Sequence, residues 1–119
     1  MANILYIETS NTLCSVCIAK GGETIALREN NEGNQHASLL TPFIEQVIKD
    51  AGITVQQLDA VSLSAGPGSY TGLRIGASAA KAICYATGKP LIAVGTLQAM
   101  VAGYIAAPEF AIFGLRIRW

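Results

Sequence analysis

The chain has 119 residues, of which 51% are hydrophobic and 13% charged, so it supports one folded domain and is excluded from the intrinsically disordered class. Eight Lys and Arg residues balance eight Asp and Glu residues, which excludes the basic excess of a stand-alone RNA-binding domain. The mean hydropathy of +0.41 is high, yet no stretch reaches the roughly 18 apolar residues of a membrane span, so the apolar excess indicates a partner surface.

Three strands joined by tight turns are predicted at the start of the chain. Residues 4–7 and 13–19 form two apolar runs, and Gly21-Gly22 separates the second from a third run at residues 24–27. Because the connections are short, the strands are expected to pair antiparallel. The first residues do not form a secretory leader, so the protein is expected in the cytoplasm.

The apolar period then changes to three or four residues, which predicts a helix over residues 36–51 that ends at Gly52. Its apolar side chains cover an arc of about 180°, wider than the roughly 100° stripe that one core contact needs. The later pattern predicts a strand at 58–65, a loop at 66–72, a helix at 73–87, a strand at 91–94 and a helix at about 96–106. Together these elements predict a mixed sheet of about five strands with three helices, in the order βββαβαβα.

The segment from Ser64 to Gly76 is a glycine-rich turn that leaves a strand and enters a helix. Backbone N–H groups at a helix N-terminus suit an anion. The spacing nevertheless matches neither a Walker A loop nor the G-x-G-x-x-G fingerprint, since Thr71 stands where the third glycine belongs. The residues therefore fit either an anion site or a plain turn that its glycines permit.

After this loop, Gly72, Gly76, Ala80 and Cys84 recur every four residues and leave one helix face nearly free of side-chain bulk. This face could pack within the chain. Together with the wide arc of the first helix, it favours a helix-against-helix interface with a second chain.

The cysteines do not predict a metal or redox site. Cys14 and Cys17 form a C-x-x-C pair, but two residues three apart on a strand point to opposite faces of the sheet. We expect small, buried and reduced thiols, because three cysteines without a secretory leader do not make a disulfide framework.

Other polar residues also lack the pattern of a catalytic centre. His36 is the only histidine, and Leu40 stands at the spacing where a second helical metal ligand would lie. We expect His36 at the surface, at the start of the helix. Glu8 and the two hydroxyl residues after it are expected to cap a turn. No catalytic or metal-ligating residue is therefore predicted.

Three segments carry a resemblance to a known family: Ile7-Glu8-Thr9-Ser10, His36-Ala37-Ser38-Leu39-Leu40-Thr41-Pro42 and Gly66-Pro67-Gly68-Ser69-Tyr70-Thr71-Gly72-Leu73-Arg74-Ile75-Gly76. From about residue 2 to residue 103 the chain resembles the bacterial TsaB family, also called YeaZ. The resemblance implies the actin-like, Hsp70-like ATPase fold, which is ribonuclease H-like, with residues 1–105 as its N-terminal half-domain. Family members are about twice this long, so the second family domain is expected to be absent and residues 106–119 to form a tail unlike the family.

The resemblance also implies a function. The family belongs to the glycoprotease-like superfamily and serves in making threonylcarbamoyl-adenosine on transfer RNA, as the non-catalytic partner of the paralogue TsaD. TsaD carries a metal on an H-x-x-x-H pair, and the matching positions here are His36 and Leu40. The implied partners are a TsaD-like paralogue and, in isolation, a second copy of the chain, with transfer RNA contacted only indirectly and no membrane. No cofactor is expected to bind tightly, whereas ATP or ADP is compatible with the full complex.

Two sets of site residues follow from the resemblance. The expected partner interface lies on the first two helices, at Leu40, Phe43, Ile44, Val47, Gly72, Ile75, Gly76, Ala79, Ala80 and Ile83. The candidate nucleotide or phosphate site consists of Glu8, Thr9, Ser10, Gly66, Gly68, Ser69, Thr71 and Gly72. The rival interpretation is an enzyme, either one that binds nucleotide through this second set or a metal-dependent peptidase of the glycoprotease type. A single histidine and no nucleophile beside a base weigh against the peptidase.

Overall fold

The computed structural model of the protein describes residues 2–10, 14–30, 36–65 and 68–94. Within them lie five strands, two α-helices and one short 3-10 helix at Val55–Gln57. The strands are β1 (Asn3–Glu8), β2 (Cys14–Lys20), β3 (Glu23–Asn30), β4 (Ala60–Ser64) and β5 (Leu91–Val94), and the helices are α1 (His36–Asp50) and α2 (Tyr70–Thr87). The predicted helix at 96–106 and the predicted tail at 106–119 lie outside the described residues.

The five strands form one mixed sheet in the order β3-β2-β1-β4-β5. The first three strands pair antiparallel, as their short connections predict, while β4 pairs parallel to β1 and β5 parallel to β4. A parallel neighbour requires a crossover connection, which α1 supplies between β3 and β4 and α2 between β4 and β5. The predicted mixed α/β sheet is therefore confirmed over the described residues.

The core lies on the sheet face that both helices cover. Leu5 and Ile7 of β1 are fully buried in the centre of this cluster, between β2 and β4. On the other face of the sheet a second, smaller cluster gathers around Ile4, with Cys17, Ala19 and Ala60. Because β1 buries side chains on both faces, it is the strand around which the fold is organised.

Helix α1 is attached to the edge strand β3 by polar contacts as well as by apolar packing. The Arg28 guanidinium forms an ion pair with Asp50 and donates from Nε to Gln46 Oε1 at 3.1 Å. Pro42 lies inside the helix, at its seventh residue. Since Arg28 and Asp50 are both partly exposed, this ion pair contributes little stability and chiefly orients the helix on the strand.

Helix α2 begins at Tyr70, three residues before the predicted start. Ser69 is its N-cap, and the Ser69 hydroxyl accepts a hydrogen bond from the Gly72 N–H at 3.3 Å. At the other end, Gly88 adopts a left-handed conformation with φ of 71° and ends the helix, a conformation that glycine takes without a steric penalty.

The small-residue face of α2 packs against the chain's own sheet. Gly72, Gly76 and Ala80 are all buried. A Cβ atom at Gly76 would overlap the Thr9 hydroxyl and lie 3.0 Å from Leu63 Cδ1, while one at Gly72 would overlap the Thr9 carbonyl oxygen. The expectation that these three residues present a face to a second chain is therefore wrong, because the close approach of α2 to β1 already uses that face.

Truncating Leu5 tests the central position of β1. Leu5 is fully buried, so Leu5→Ala is expected to lower the free energy of unfolding by about 2–5 kcal/mol. The matched control is Leu27→Ala on β3, where the side chain is 46% exposed and the expected loss is below about 1 kcal/mol. Urea unfolding measures both, and equal losses would contradict the assignment of β1 as the core strand.

Adding a methyl group at Gly76 tests the approach of α2. Helix propensity alone makes Gly→Ala stabilising by about 1 kcal/mol. We expect Gly76→Ala to be destabilising by about 1–3 kcal/mol instead, because Thr9 would have to turn away and lose its buried hydrogen bond.

The control is Ala86→Gly at an exposed position of the same helix, which measures the propensity contribution by itself. A Gly76→Ala protein that unfolds at higher urea concentration than the original would show that α2 does not lie this close to β1.

Candidate functional site

The side chain of Glu8, the last residue of β1, accepts hydrogen bonds from residues on both sides of it. The Glu8 carboxylate accepts hydrogen bonds from the Ser10 N–H at 3.1 Å and the Ser10 hydroxyl at 2.6 Å through Oε2, and from the Tyr6 hydroxyl at 3.4 Å through Oε1. Burial raises the pKa of Tyr6, and the nearby charge of Glu8 raises it further. Tyr6 therefore stays a neutral donor at physiological pH. Glu8 caps Ser10 as expected, and residues 11–13 of the predicted turn lie outside the described residues.

This turn lies directly against the start of α2. The Thr9 hydroxyl donates to the Gly72 carbonyl oxygen at 2.7 Å, and the Ser69 N–H donates to the Ser10 carbonyl oxygen at 2.5 Å. Thr9 and Ser10 are both fully buried. The tertiary structure thus brings together the ends of two predicted loops that are about 60 residues apart in the chain.

The candidate phosphate-binding residues fall into three groups in the structure. Gly68, Ser69 and Thr71 are exposed at the start of α2. Glu8, Thr9, Ser10 and Gly72 are engaged in the hydrogen bonds between the turn and the helix, and Gly66 lies outside the described residues. Since the hydroxyls of Thr9, Ser10 and Ser69 each have a partner within the chain, the nucleotide site stays a prediction.

The predicted partner interface divides into a buried and a half-buried part. Leu40, Ile44 and Val47 of α1 lie in the core on the sheet, as Gly72, Gly76 and Ala80 of α2 do. Their burial against the chain's own strands contradicts the prediction that these six residues form the interface, although Leu40 also reaches the wall of the groove described next. The half-buried members pack on the outside of the same core: Phe43, Ile75, Ala79 and Ile83.

An open groove of about 560 Å³ runs between α1 and α2. Its walls combine apolar atoms with hydroxyl groups and one guanidinium, from Ala37, Leu40, Thr41, Thr71, Arg74, Ile75, Ser78 and Ala79. Two of the half-buried residues, Ile75 and Ala79, are thus in its wall. The groove is the concave part of the surface where the sequence predicts a partner.

The described residues do not assemble a metal site. No group of three or more His, Cys, Asp and Glu side chains comes together among residues 2–10, 14–30, 36–65 and 68–94. His36 begins α1, as expected, but is only 8% exposed. Its expected surface position is wrong, because its side chain turns inward with the apolar face of the helix.

The three cysteines are free thiols, and the predicted burial holds for Cys14 and Cys17, while Cys84 is half-buried. Cys14 belongs to the core under the helices and Cys17 to the cluster on the opposite sheet face. Burial raises the pKa of Cys17 to about 12 and also raises the pKa of Cys14 and Cys84. All three therefore stay protonated at neutral pH, whereas metal binding and nucleophilic attack require the thiolate.

One exposed feature was missed by the sequence analysis. Tyr70 is 73% exposed and Tyr85 is 94% exposed, although both lie on α2. The signal that identifies them is their helical spacing with the cations Arg74 and Lys81, which places all four side chains on the outer face of α2.

Neither α1 nor α2, the α-helices of the described residues, is both long and apolar enough to cross a membrane.

Comparison with known proteins supports the resemblance. Residues 30–111 match the family model described as TsaD: tRNA N6-adenosine threonylcarbamoyltransferase. The tRNA threonylcarbamoyladenosine biosynthesis protein TsaB of Haemophilus influenzae is 32% identical over 97 residues, which cover 82% of this chain and 41% of that protein. The tRNA N6-adenosine threonylcarbamoyltransferase of Erythrobacter litoralis is 48% identical over 63 residues, covering 53% of this chain and 18% of that protein.

The fold agrees with these relatives. YeaZ from Pseudomonas aeruginosa superimposes with a TM-score of 0.82 at 27% identity, over 87% of this chain and 48% of that one. This chain spans less than half the length of the TsaB and YeaZ relatives it matches, and the expected α/β fold class is confirmed. The chain belongs to the family of the tRNA N6-adenosine threonylcarbamoyltransferase TsaD, and over most of its length it resembles the TsaB and YeaZ branch of that family.

Proposed function

We propose that the chain is a non-catalytic subunit that pairs with a TsaD-like paralogue in the complex that makes threonylcarbamoyl-adenosine on transfer RNA. Its relative in Haemophilus influenzae is named for that biosynthesis, and the family model that it matches is named for the transferase itself. A transfer-RNA substrate also implies a cytoplasmic protein. In this proposal the subunit acts through its surface, by binding and positioning its partner.

The observation that supports a non-catalytic role most directly is the presence of a buried leucine at position 40. A helical pair of metal ligands needs two imidazoles four residues apart on one face. His36 is followed at that spacing by Leu40, which is 2% exposed and lies in the apolar core with Ile44 and Val47. A leucine side chain offers no electron pair to a metal, and among residues 2–10, 14–30, 36–65 and 68–94 no cluster of three ligating side chains replaces it.

The helical surface supports a partner contact. Phe43, Ile75, Ala79 and Ile83 remain half-buried on α1 and α2, and the groove between the helices is open to solvent. Burying such side chains against another helix would contribute a favourable free energy of about 25 cal/mol per Å² of apolar area removed from water.

The same surface supports self-association when the partner is absent. Sedimentation of the isolated chain at micromolar concentration is expected to show dimers.

Metal content tests the non-catalytic role. We expect the purified chain, dialysed against zinc and then against buffer, to retain well below one zinc ion per chain, because a catalytic zinc normally has three protein ligands. Atomic absorption provides the measurement. Stoichiometric zinc that is lost on His36→Ala, in a protein that still folds by circular dichroism, would instead support the rival metal-dependent enzyme.

Filling the groove tests the pairing. Ser78 is exposed and lines the groove, so Ser78→Trp adds bulk where the partner is proposed to bind without entering the core. We expect the dissociation constant for the TsaD-like paralogue of the same organism to rise at least tenfold, because overpacking of an interface is costly. A tenfold rise corresponds to a loss of about 1.4 kcal/mol in binding free energy. Isothermal titration calorimetry measures the affinity.

Gln56→Trp is the matched control, since Gln56 is exposed on the short 3-10 helix and away from the groove. Both variants are expected to unfold at the same urea concentration as the original chain, because both positions are at the surface. Equal partner affinity for the two tryptophan variants would show that the groove is not the contact, and no affinity in the original chain would refute the proposed pairing.

A further inference from the structure

The outer face of α2 carries two tyrosines and two cations in one line, here called the α2 stripe: Tyr70, Arg74, Lys81 and Tyr85. Their spacing of four, seven and four residues keeps them within about 60° of helix arc and spreads them over about 22 Å. All four are exposed, and Tyr85 at 94% is almost free of contact with the rest of the chain. Apart from a contact between Arg74 and Tyr70, packing within the described chain therefore does not account for these residues.

The charge of the stripe is of one sign. Helix α2 contains Arg74 and Lys81 but no Asp or Glu. The Arg74 guanidinium lies over the Tyr70 ring, 5.6 Å from its centroid, a cation–π contact that orients the planar group. An oriented guanidinium, followed by an ammonium about two helical turns further along α2, complements a polyanion such as a phosphate backbone.

We propose that the α2 stripe contacts RNA, with Arg74 and Lys81 on phosphates and Tyr85 stacked on an exposed base. Cations interleaved with exposed aromatic rings are the combination that binds single-stranded segments of nucleic acid. Tyrosine and arginine are also common in protein interfaces, where lysine is depleted. The feature that favours RNA is the charge of one sign, since α2 contains no Asp or Glu, and the aliphatic side chains of α2 are half-buried along other faces of the helix.

This inference rests on the proposed function, which identifies the bound RNA as transfer RNA. It replaces the indirect contact expected from the neutral net charge. Two cations add only about two phosphate contacts, so the stripe is too small for tight binding by the isolated chain. It instead adds to the affinity of a complex in which the partner also holds the RNA.

The test measures the binding of an unmodified transfer-RNA transcript to the complex of the chain with its TsaD-like paralogue, over a range of salt concentrations. Tyr85→Ala is expected to weaken binding about fivefold or more without changing the salt dependence, because it removes a stacking contact. Lys81→Ala is expected to lower the slope of log affinity against log salt by about 1, because it removes one phosphate contact. Arg74 is left unchanged because it also lines the groove.

The matched controls are Lys20→Ala on β2 and Ile25→Ala on β3, which remove an exposed cation and an exposed apolar side chain elsewhere. They are expected to leave the RNA affinity and its salt dependence unchanged. Stripe variants that bind RNA like these controls would overturn the inference, and so would stripe variants that weaken the pairing of the two proteins, which would identify a protein contact instead.

A photo-crosslinking side chain at position 85 separates this inference from the proposed function. We expect the isolated chain with this group to crosslink to the same transcript at high concentration. The control chain, with the group at position 25, is expected to form no crosslink. If the paralogue does not bind but the crosslink forms, the pairing is refuted and the RNA contact stands. If the paralogue binds but position 85 does not crosslink, only the RNA contact is refuted.

Discussion

The close approach of α2 to the end of β1 is the contact on which the rest of the described structure depends. Thr9 donates its hydroxyl proton to the Gly72 carbonyl oxygen, and neither Gly72 nor Gly76 has room for a Cβ atom against Thr9. Because glycine occupies both positions, the helix backbone lies directly on the turn that follows β1. The core under the helix and the groove beside it take their positions from this contact.

The same contact changes what the family motifs do in this chain. In a site that binds phosphate, the turn after β1 and the start of α2 would direct their hydroxyl and N–H groups outward. Here Glu8 accepts from Ser10, Thr9 donates to Gly72 and Ser69 caps the helix, so these groups stabilise the junction of two elements. These hydrogen bonds give the buried motif residues a role in folding, while Gly68 and Thr71 remain exposed at the start of α2, and nucleotide binding there stays a prediction.

Two neighbouring surfaces of the helices α1 and α2 lie outside the core. The groove between α1 and α2 presents half-buried apolar side chains, which suits another protein, and the outer face of α2 presents tyrosines and cations without acidic residues, which suits RNA. Arg74 belongs to both. A subunit that binds its partner through the groove and RNA through the adjacent face would align the two without a catalytic residue of its own.

The sequence by itself determined the element order, the antiparallel opening strands and the opposite orientation of Cys14 and Cys17, because these depend on local periodicity and on short connections. It also indicated the family through contiguous motifs. Only the tertiary structure decided which face of each helix is buried. Leu40, Ile44 and Val47 lie on the sheet, and Gly76 meets a side chain that is 67 positions earlier in the chain. Helical spacing shows which residues share a face, but whether that face meets the sheet depends on which strand the crossover reaches. The burial of His36 has the same cause, since it lies on the face of α1 that meets the sheet.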